Sequence, residues 1–294
     1  MTEQDLKTAA SRHTWFHALD LGDFQTPGRF KQGGPQNITL FPALDLMQHI
    51  DFTGMDCLDI GTVHGLSAFG MAMRGAKSVT ATDVLEEMSP PWRIAREALK
   101  LDVDYLTETT FDNILERIPD RKFDVIICTG VLYHMLKPTD AVIKCRQLLK
   151  PNGLLVLESA YMGQETRPIM ELNAVTGSMK ETTTYWRPSR SSMLGILRMV
   201  GLDPIAERSI DNPDRLAVLA RNVPFSELRG RPEFLKKIHE RGLWTNDVDV
   251  VPQGSPSSVS YSGPDDVQKL DWNSYKPNWS PHSDGSKEIV GKVK

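Results

Sequence analysis

The stretch Met55-Asp-Cys-Leu-Asp-Ile-Gly-Thr-Val-His-Gly65 decides the fold. Its apolar residues Cys57, Leu58 and Ile60 predict a buried strand, and the mostly apolar run 66–73 predicts a helix directly after Gly65. Glycines let the backbone approach a ligand closely, and a helix N-terminus directs N–H groups at it. The strand, glycine turn and helix therefore predict a site for a nucleotide-like ligand.

Strand patterns alternate with amphipathic helices on both sides of this stretch. After the first strand at 57–60, further strands are predicted at 78–83, 103–106, 123–128 and 154–158, and helices at 89–100, 113–118 and 138–149. The segments 202–210 and 216–220 predict an antiparallel hairpin at the sheet edge, after a helix at 189–200. The pattern predicts an α/β fold, a Rossmann-like, doubly wound, mostly parallel sheet of seven strands.

Three parts are predicted along the chain. Residues 1–36 form an N-terminal flap or lid with a polar helix at 2–12, and residues 37–222 form the α/β domain, which opens with a helix from Asn37 to about Ile50. Lys150-Pro-Asn-Gly153 predicts a turn, and 161–188 is expected to be irregular. Residues 223–294 start with a charged helix at 226–241 and continue as a Pro-, Ser- and Gly-rich arm. Its isolated aromatic residues favour an arm that packs on its own domain or makes a homodimer, with disorder as the alternative.

The composition excludes several classes of protein. Of 294 residues, 40% are hydrophobic and 24% are charged, which is typical of a globular protein that lies in the cytoplasm and does not enter a membrane. A net charge of −4 disfavours nucleic acid in general, although a local basic patch for tRNA stays open. The three cysteines lie in apolar patterns without a CxxC pair, so we expect reduced core thiols and no metal.

Asp83 ends the second predicted strand, 22 positions after Gly61. At this place an acidic side chain can accept hydrogen bonds from the cis-diol of a ribose. The loop at Gly61 and Gly65 lacks the third glycine of a dinucleotide fingerprint, which argues against NAD.

Together these motifs resemble the class I S-adenosylmethionine-dependent methyltransferases over about residues 37–222. The resemblance rests on Asp59-Ile-Gly-Thr-Val-His-Gly65, Asp83, Phe123-Asp-Val125 and Lys150-Pro-Asn-Gly153. More narrowly, Gly130-Val-Leu-Tyr-His134 and the flap sequence at 21–28 resemble the branch of tRNA wobble-uridine carboxymethyltransferases and their small-molecule relatives. Val63 is a departure, since the common loop has a glycine there.

The resemblance implies S-adenosylmethionine as cofactor and assigns its contacts. The glycine loop would face the methionine part, with Asp59 near the ammonium, and Asp83 would hold the ribose hydroxyls. The full set of implied cofactor contacts is Asp59, Gly61, Thr62, Gly65, Asp83, Val84, Thr110, Phe111, Asp112, Thr129 and Gly130. For Asp59, a purely structural cap of the turn is the alternative.

Methyl transfer requires alignment of the acceptor and exclusion of water, and an oxygen or amine acceptor also needs a base. His134 is the best candidate for that base, with Tyr133 and Glu158 as further catalytic candidates, although packing at the sheet end would equally explain His134. Arg187 and Arg190 could clamp an acceptor carboxylate, or simply lie at a solvated helix start. The predicted acceptor-binding residues are Trp15, His17, Tyr161, Trp186, Arg187 and Arg190.

Three functions fit these patterns. The first is methyl transfer by in-line displacement to O, N or S of a small molecule, which could carry a carboxylate. The second is a tRNA wobble-uridine alkyltransferase, which would need a positive groove beside the site. The third is a cofactor-binding regulatory protein without catalysis.

Overall fold

The computed structural model describes residues 2–28, 37–173, 183–211, 214–229 and 251–271, together with Glu233 and Lys237. The helices of these ranges are α1 (Glu3–Ser11), α2 (Phe41–Met47), α3 (Leu66–Met73), α4 (Pro90–Leu99), α5 (Ile114–Arg117), α6 (Pro138–Leu148) and α7 (Arg190–Met199). The strands are β1 (Ile50–Asp51), β2 (Asp56–Ile60), β3 (Ser78–Thr82), β4 (Asp104–Leu106), β5 (Phe123–Thr129), β6 (Leu149–Ala160), β7 (Met170–Leu172), β8 (Trp186–Pro188), β9 (Leu202–Ile210), β10 (Arg215–Asn222), β11 (Ser260–Tyr261) and β12 (Val267–Lys269).

The main sheet has the order β12-β9-β10-β6-β5-β2-β3-β4. Strands β6, β5, β2, β3 and β4 are parallel, whereas β10 runs antiparallel to both β6 and β9. The predicted α/β class with an antiparallel hairpin is confirmed. Among the described residues the sheet has one strand more than the predicted seven, because β12 pairs in parallel with β9 and covers the hairpin.

Helices cover both faces of this sheet. Leu44 of α2, Phe69 of α3 and Trp92 of α4 belong to the apolar core on one face. On the other face, α5, α6 and α7 contribute Ile114, Val142 and Leu197 to a second core. Because the central strands are parallel, their carboxyl ends lie at one edge of the sheet, where α/β proteins bind their ligands. None of the helices in the described ranges has the length and apolarity needed to cross a bilayer.

Asn37 differs from its predicted role as a helix cap. Its backbone is left-handed, with φ 59°, and its side chain caps no helix. Instead, its amide accepts a hydrogen bond from the Ala18 N–H and donates one to the Ala18 carbonyl, both at 2.9 Å. The helix begins four residues later, at Phe41, and Ile50 lies in β1. Asn37 therefore holds the N-terminal flap to the domain.

Two loop predictions were also wrong. Residues 150–153 lie inside β6, where Asn152 takes a positive φ of 62° and the pairing with β5 shifts register. The interval 161–188, expected to be irregular, contains the antiparallel pair β7 and β8. Short β strands of this kind carry little periodicity, so the sequence does not distinguish them from loops.

The segment 251–271 packs on the domain. β11 pairs with β1 and β12 with β9, and Val259 and Leu270 are buried. Arg208, which is 1% exposed, links this segment to α2 through Asp266 at 2.9 Å and Asp45 at 2.5 Å. The predicted boundaries 1–36, 37–222 and 223–294 stay predictions, and most of the predicted helix at 226–241 lies outside the described residues, as do Trp244, Trp272, Tyr275 and Trp279.

Candidate active site

The glycine loop lies where the sequence predicts it, between β2 and α3. Gly61 and Gly65 take positive φ values of 73° and 86°, a region that favours glycine. A Cβ on Gly61 would lie 2.5 Å from Cγ2 of Val131, and one on Gly65 would overlap the rings of Phe69 and Trp92. Glycine is therefore required at both positions, and the loop backbone passes close to the turn that follows β5.

Val63 lies between these glycines in a left-handed conformation, with φ 52°. This is strained for a β-branched residue, and such strain clusters at functional sites. The Val63 N–H donates a hydrogen bond of 2.9 Å to Oδ2 of Asp83, so the end of β3 holds the loop in place.

Two carboxyl groups lie side by side at the ends of β2 and β3. Asp59 is buried and accepts a 2.6 Å hydrogen bond from Thr62 Oγ1. Burial raises the pKa of Asp59 to about 7, and the nearby charge of Asp83 raises it further. Hydrogen bonds from Thr62 and from the Ala68 N–H act in the opposite direction and lower this pKa. Asp83 accepts backbone hydrogen bonds on both oxygens, from Val63 and from Val84. The pair can offer oxygens to a diol and an ammonium group.

The residues predicted to surround an adenine follow β4. The Thr109 N–H donates to the Asp83 carbonyl at 2.9 Å, which brings this loop to the end of β3. Thr110 and Asp112 are exposed, whereas Phe111 is buried in the core beside Ile114. The Val84 side chain is 65% exposed next to Asp83. The structure thus brings the predicted ribose and adenine residues to one end of the sheet.

Glu158 lies at the end of β6 and is fully buried in a bidentate ion pair with Arg215. Arg215 Nε lies 2.6 Å from Oε1 and Nη2 lies 2.9 Å from Oε2. The Gly130 N–H also donates to Oε2, at 2.9 Å, so the pair fixes the turn after Thr129. Burial acts to lower the pKa of Arg215, but the charges of Glu158 and Tyr133 raise it above its ordinary value. Because both its oxygens are bonded, Glu158 is suited to positioning rather than to proton transfer.

Arg215 was not among the site residues predicted from the sequence. Its guanidinium lies 4.9 Å from the centre of the Tyr133 ring and 3.5 Å from the Tyr133 hydroxyl. The signal that could have found it is a charged residue directly before the apolar strand run 216–220, since a buried charge in a sheet requires a partner.

His134 lies in a short 3₁₀ turn after β5, with its ring 4.2 Å from that of Tyr133. Its Nδ1 is 2.9 Å from the carbonyl oxygen of Thr183. A carbonyl only accepts hydrogen bonds, so Nδ1 carries the proton and Nε2 carries the lone pair. The Tyr185 N–H donates to the Tyr133 carbonyl at 2.8 Å, which holds the segment before β8 against this turn.

The N-terminal flap contacts the glycine loop through His64. The Phe16 N–H donates a 3.0 Å hydrogen bond to Nδ1 of His64, and the rings of Trp15 and His17 lie 5.5 and 6.3 Å from its ring. Burial lowers the pKa of His17 to about 3, with a contribution from His64, and that of His64 to about 4. Trp15 and His17, predicted to bind the acceptor, therefore lie against the loop assigned to the cofactor.

The other predicted acceptor residues surround β8. Trp186 donates from Nε1 to the Leu136 carbonyl at 3.3 Å, and Tyr161 is 6% exposed. Arg187 lies 3.3 Å from the Glu171 carboxylate, and Arg190 forms a bidentate pair with Glu207 at 2.6 and 2.8 Å. Since both guanidinium groups are already paired with carboxylates of the chain, the geometry favours structural roles for them.

These residues fit the cofactor implied by the sequence. The left-handed glycine loop lies directly beside Asp59 and Asp83, whose oxygens can accept hydrogen bonds from an ammonium and from a diol.

Comparisons with known proteins also indicate a methyltransferase. Residues 37–207 match the family model of a methyltransferase domain. A ubiquinone biosynthesis O-methyltransferase of Roseobacter denitrificans is 32% identical over 58% of this chain and 68% of its own length. A tRNA U34 carboxymethyltransferase of Nautilia profundicola is 31% identical over 38% of this chain and 36% of its own length.

Among solved structures, an S-adenosylmethionine-dependent methyltransferase of Mesorhizobium loti is 17% identical and covers 63% of this chain and 98% of its own, with a TM-score of 0.50. That likeness supports the fold alone. The family match covers more than half of the chain and includes the glycine loop, both carboxyl groups and His134. The chain belongs to the class I methyltransferases and is an enzyme that uses S-adenosylmethionine.

Proposed function

We propose that this methyltransferase transfers the methyl group to a hydroxyl oxygen of a small molecule, with His134 as general base. The observation that carries the proposal is the hydrogen bond between Nδ1 of His134 and the Thr183 carbonyl. It fixes the tautomer whose Nε2 can accept a proton. A hydroxyl acceptor needs such a base, whereas a thioether does not.

S-adenosylmethionine supplies a methyl group that its sulfonium already activates. The chain therefore has to align the acceptor and remove its proton. In our proposal the Glu158–Arg215 pair holds Gly130 and Tyr133 in place, and His134 Nε2 takes the hydroxyl proton as the oxygen attacks. On the cofactor, Asp59 binds the ammonium, Asp83 binds the ribose hydroxyls, and residues 110–112 border the adenine.

Apolar side chains border His134 and favour an acceptor with an aromatic or otherwise apolar part. Leu136 is 65% exposed, Tyr185 41% and Leu172 37%. The Leu136 carbonyl accepts a hydrogen bond from Trp186, and Leu172 pairs with Trp186 across β7 and β8, so Trp186 links Leu136 and Leu172. The similarity to a protein named as a ubiquinone biosynthesis O-methyltransferase supports oxygen as the methylated atom.

The test is a screen with labelled S-adenosylmethionine against phenols, catechols, aliphatic alcohols, amines and thioethers. We expect turnover of a hydroxyl compound, and a loss of about 10²- to 10⁴-fold in kcat for His134→Gln at unchanged cofactor affinity. His49→Gln is the matched control, because His49 lies beside Tyr261 in the C-terminal segment's contact with the domain. Turnover of thioethers alone, or full activity of His134→Gln, would contradict the proposal.

The similarity to the tRNA U34 carboxymethyltransferase supports a second candidate, alkylation of tRNA. This function requires binding of the phosphate backbone, which a chain with a net charge of −4 can achieve only through a local basic surface. A gel shift of bulk tRNA at moderate salt, together with label transfer to tRNA, would favour this candidate over the small-molecule acceptor.

A further inference from the structure

The glycine loop contains a strained tight turn at residues 62–65. The Gly65 N–H donates a hydrogen bond of 2.9 Å to the Thr62 carbonyl, which makes Val63 the first central residue of the turn. A positive φ at that position is normally taken by glycine, asparagine or aspartate, because a β-branched side chain is strained there. Val63 nevertheless has a φ of 52°, so neighbouring contacts must hold this conformation against its tendency to relax.

One set of these contacts comes from the end of β3. The N–H groups of Gly61 and Thr62 both donate to the Thr82 carbonyl, at 3.0 and 3.1 Å. The next N–H, that of Val63, donates to Oδ2 of Asp83 at 2.9 Å. These bonds fix the chain as far as the nitrogen of Val63, which is one end of the bond about which φ is measured.

Another contact comes from the N-terminal flap through His64. The Phe16 N–H donates to Nδ1 of His64 at 3.0 Å, so the residue after the strained one is tied to a different part of the chain. The His64 ring also makes an edge-to-face contact with the buried ring of Trp15. Asn37 holds this part of the flap to the domain through its two bonds to Ala18. The turn is thus fastened on both sides of its strained residue, by β3 and by the flap.

The protonation state of His64 suits this contact. An imidazole accepts a hydrogen bond at Nδ1 only when that nitrogen carries no proton. Burial lowers the pKa of His64 to about 4, so the ring is neutral at pH 7 and its proton lies on Nε2. The bond from the Phe16 N–H is therefore intact at neutral pH.

We propose that His64 is a positioning residue, which holds the flap against the glycine loop and so keeps the turn at Val63 in the conformation that binds the cofactor. The inference rests on the assignment of this loop to S-adenosylmethionine and is independent of the acceptor. Without the contact, Val63 can relax towards a negative φ, and ligand binding then has to restore the strained turn. Because such coupling is reciprocal, a ligand on the loop also strengthens the attachment of the flap by the same factor.

A double-mutant cycle, measured by calorimetry with the demethylated cofactor S-adenosylhomocysteine, tests the proposal without turnover. For His64→Leu we expect about 3- to 10-fold weaker binding, the factor that corresponds to one hydrogen bond between neutral groups. His64→Asn offers a side-chain oxygen near the position of Nδ1 and should recover most of the affinity. In a Val63→Gly background, where no strain has to be held, His64→Leu should weaken binding by less than about 2-fold.

Equal losses in the two backgrounds would overturn the proposal, because a direct contact of His64 with the ligand or a general loss of packing does not depend on Val63. No loss in His64→Leu would overturn it as well. His13→Leu, in the same flap, is the control and should bind like the wild type.

Hydrogen exchange of the segment 15–19 supplies a second readout that does not depend on affinity. S-adenosylhomocysteine should slow this exchange in the wild type and not in His64→Leu. Exchange that the ligand leaves unchanged in the wild type would contradict the coupling between flap and loop. Absence of binding in the wild-type protein would overturn the cofactor assignment and this inference together, whereas the other contrary results leave the assignment intact.

Discussion

Asp59 combines complete burial with a pKa of about 7, far above its ordinary 3.8. The folded protein therefore keeps a proton that the unfolded chain releases, and this stabilisation is lost as the pH rises from about 4 to 7. His17 and His64, whose pKa values are lowered, act in the opposite direction below pH 6.5. The contribution of Asp59 to the pH dependence of stability is therefore measured by comparing the wild type with a variant that lacks this carboxyl group.

We expect Asp59→Asn to remove the loss of stability that ionisation of Asp59 causes as the pH rises. The difference in unfolding free energy between wild type and Asp59→Asn should change by up to about 4 kcal/mol between pH 4 and pH 8, in favour of the variant at high pH. Urea titrations of the ligand-free protein at several pH values measure it. Parallel curves for the two proteins would show that Asp59 has an ordinary pKa.

The same carboxyl group predicts how cofactor binding depends on pH. If ionised Asp59 attracts the ligand's ammonium, affinity for S-adenosylhomocysteine should rise as the pH passes through about 7. Calorimetry at pH 6 and pH 8 tests this, with Asp59→Asn as control, since its affinity should be lower and show less change. A wild-type affinity that is flat over this range would place the ammonium elsewhere.

The left-handed backbone at Val63 predicts that glycine at this position would stabilise the protein. Val63→Gly relieves a left-handed β-branched residue, which outweighs the extra freedom of glycine in the unfolded chain, so we expect a gain of about 1 kcal/mol in unfolding free energy. Val84→Gly, at an exposed position with an ordinary φ, should instead lose stability. Denaturant midpoints measure both, and a loss in Val63→Gly would mean that the valine side chain packs favourably.

At the scale of single residues, the sequence predicts the groups that a local pattern marks. Gly61, Gly65 and Asp83 follow from their spacing and lie where expected. Arg215, the partner of Glu158, was missed because a contact between residues 57 positions apart leaves no local trace. The contact between His17 and His64 also leaves no local trace, because the fold and no sequence motif brings the two rings together.

At the scale of elements, the Glu158–Arg215 pair joins β6 to β10 beside the turn after β5. Removing one partner leaves a buried charge, so we expect Glu158→Gln and Arg215→Met each to lose about 3–5 kcal/mol. The double variant should lose less than the sum, because neither charge then remains. Thermal or urea unfolding of the four proteins measures the coupling, and additive losses would show that the pair does not act as a unit.

Elements with strong periodicity were predicted well. The helices α4 and α7 begin after Ser89 and Ser189, whose side chains accept hydrogen bonds from the first turns as caps do. β11 and β12 were missed, because two- and three-residue strands are defined by their partners in the sheet and not by their own sequence. The helix α2 begins later than predicted because Asn37 bonds to Ala18 instead of capping.

At the scale of the whole molecule, the segment 251–271 covers the edge of the main sheet. Truncation after residue 250 removes β11, β12 and the Asp266 partner of Arg208, so we expect a loss of roughly 2–4 kcal/mol and aggregation through the uncovered β9 edge. Truncation after residue 271 is the comparison, because it keeps β11, β12 and Asp266 and should therefore be the more stable of the two. Unfolding and light scattering compare the two.

The predicted homodimer is tested with a third truncation. An arm that reaches a second copy should be lost on truncation after residue 241, which would lower the mass in sedimentation. An unchanged mass would contradict the dimer.

Contacts between residues far apart in the sequence predict the order in which the strands form. His49 bonds to Ser262 across 213 positions of sequence, and Asp45 pairs with Arg208 across 163. Contacts of such separation form late, because the chain entropy of a long loop is lost before they contribute. We therefore expect β12 to be added last, on a hairpin of β9 and β10 that has already formed. On a ribosome, β9 would remain an open edge until residues 251–271 have emerged, which makes that interval the one in which the nascent chain most needs protection from association.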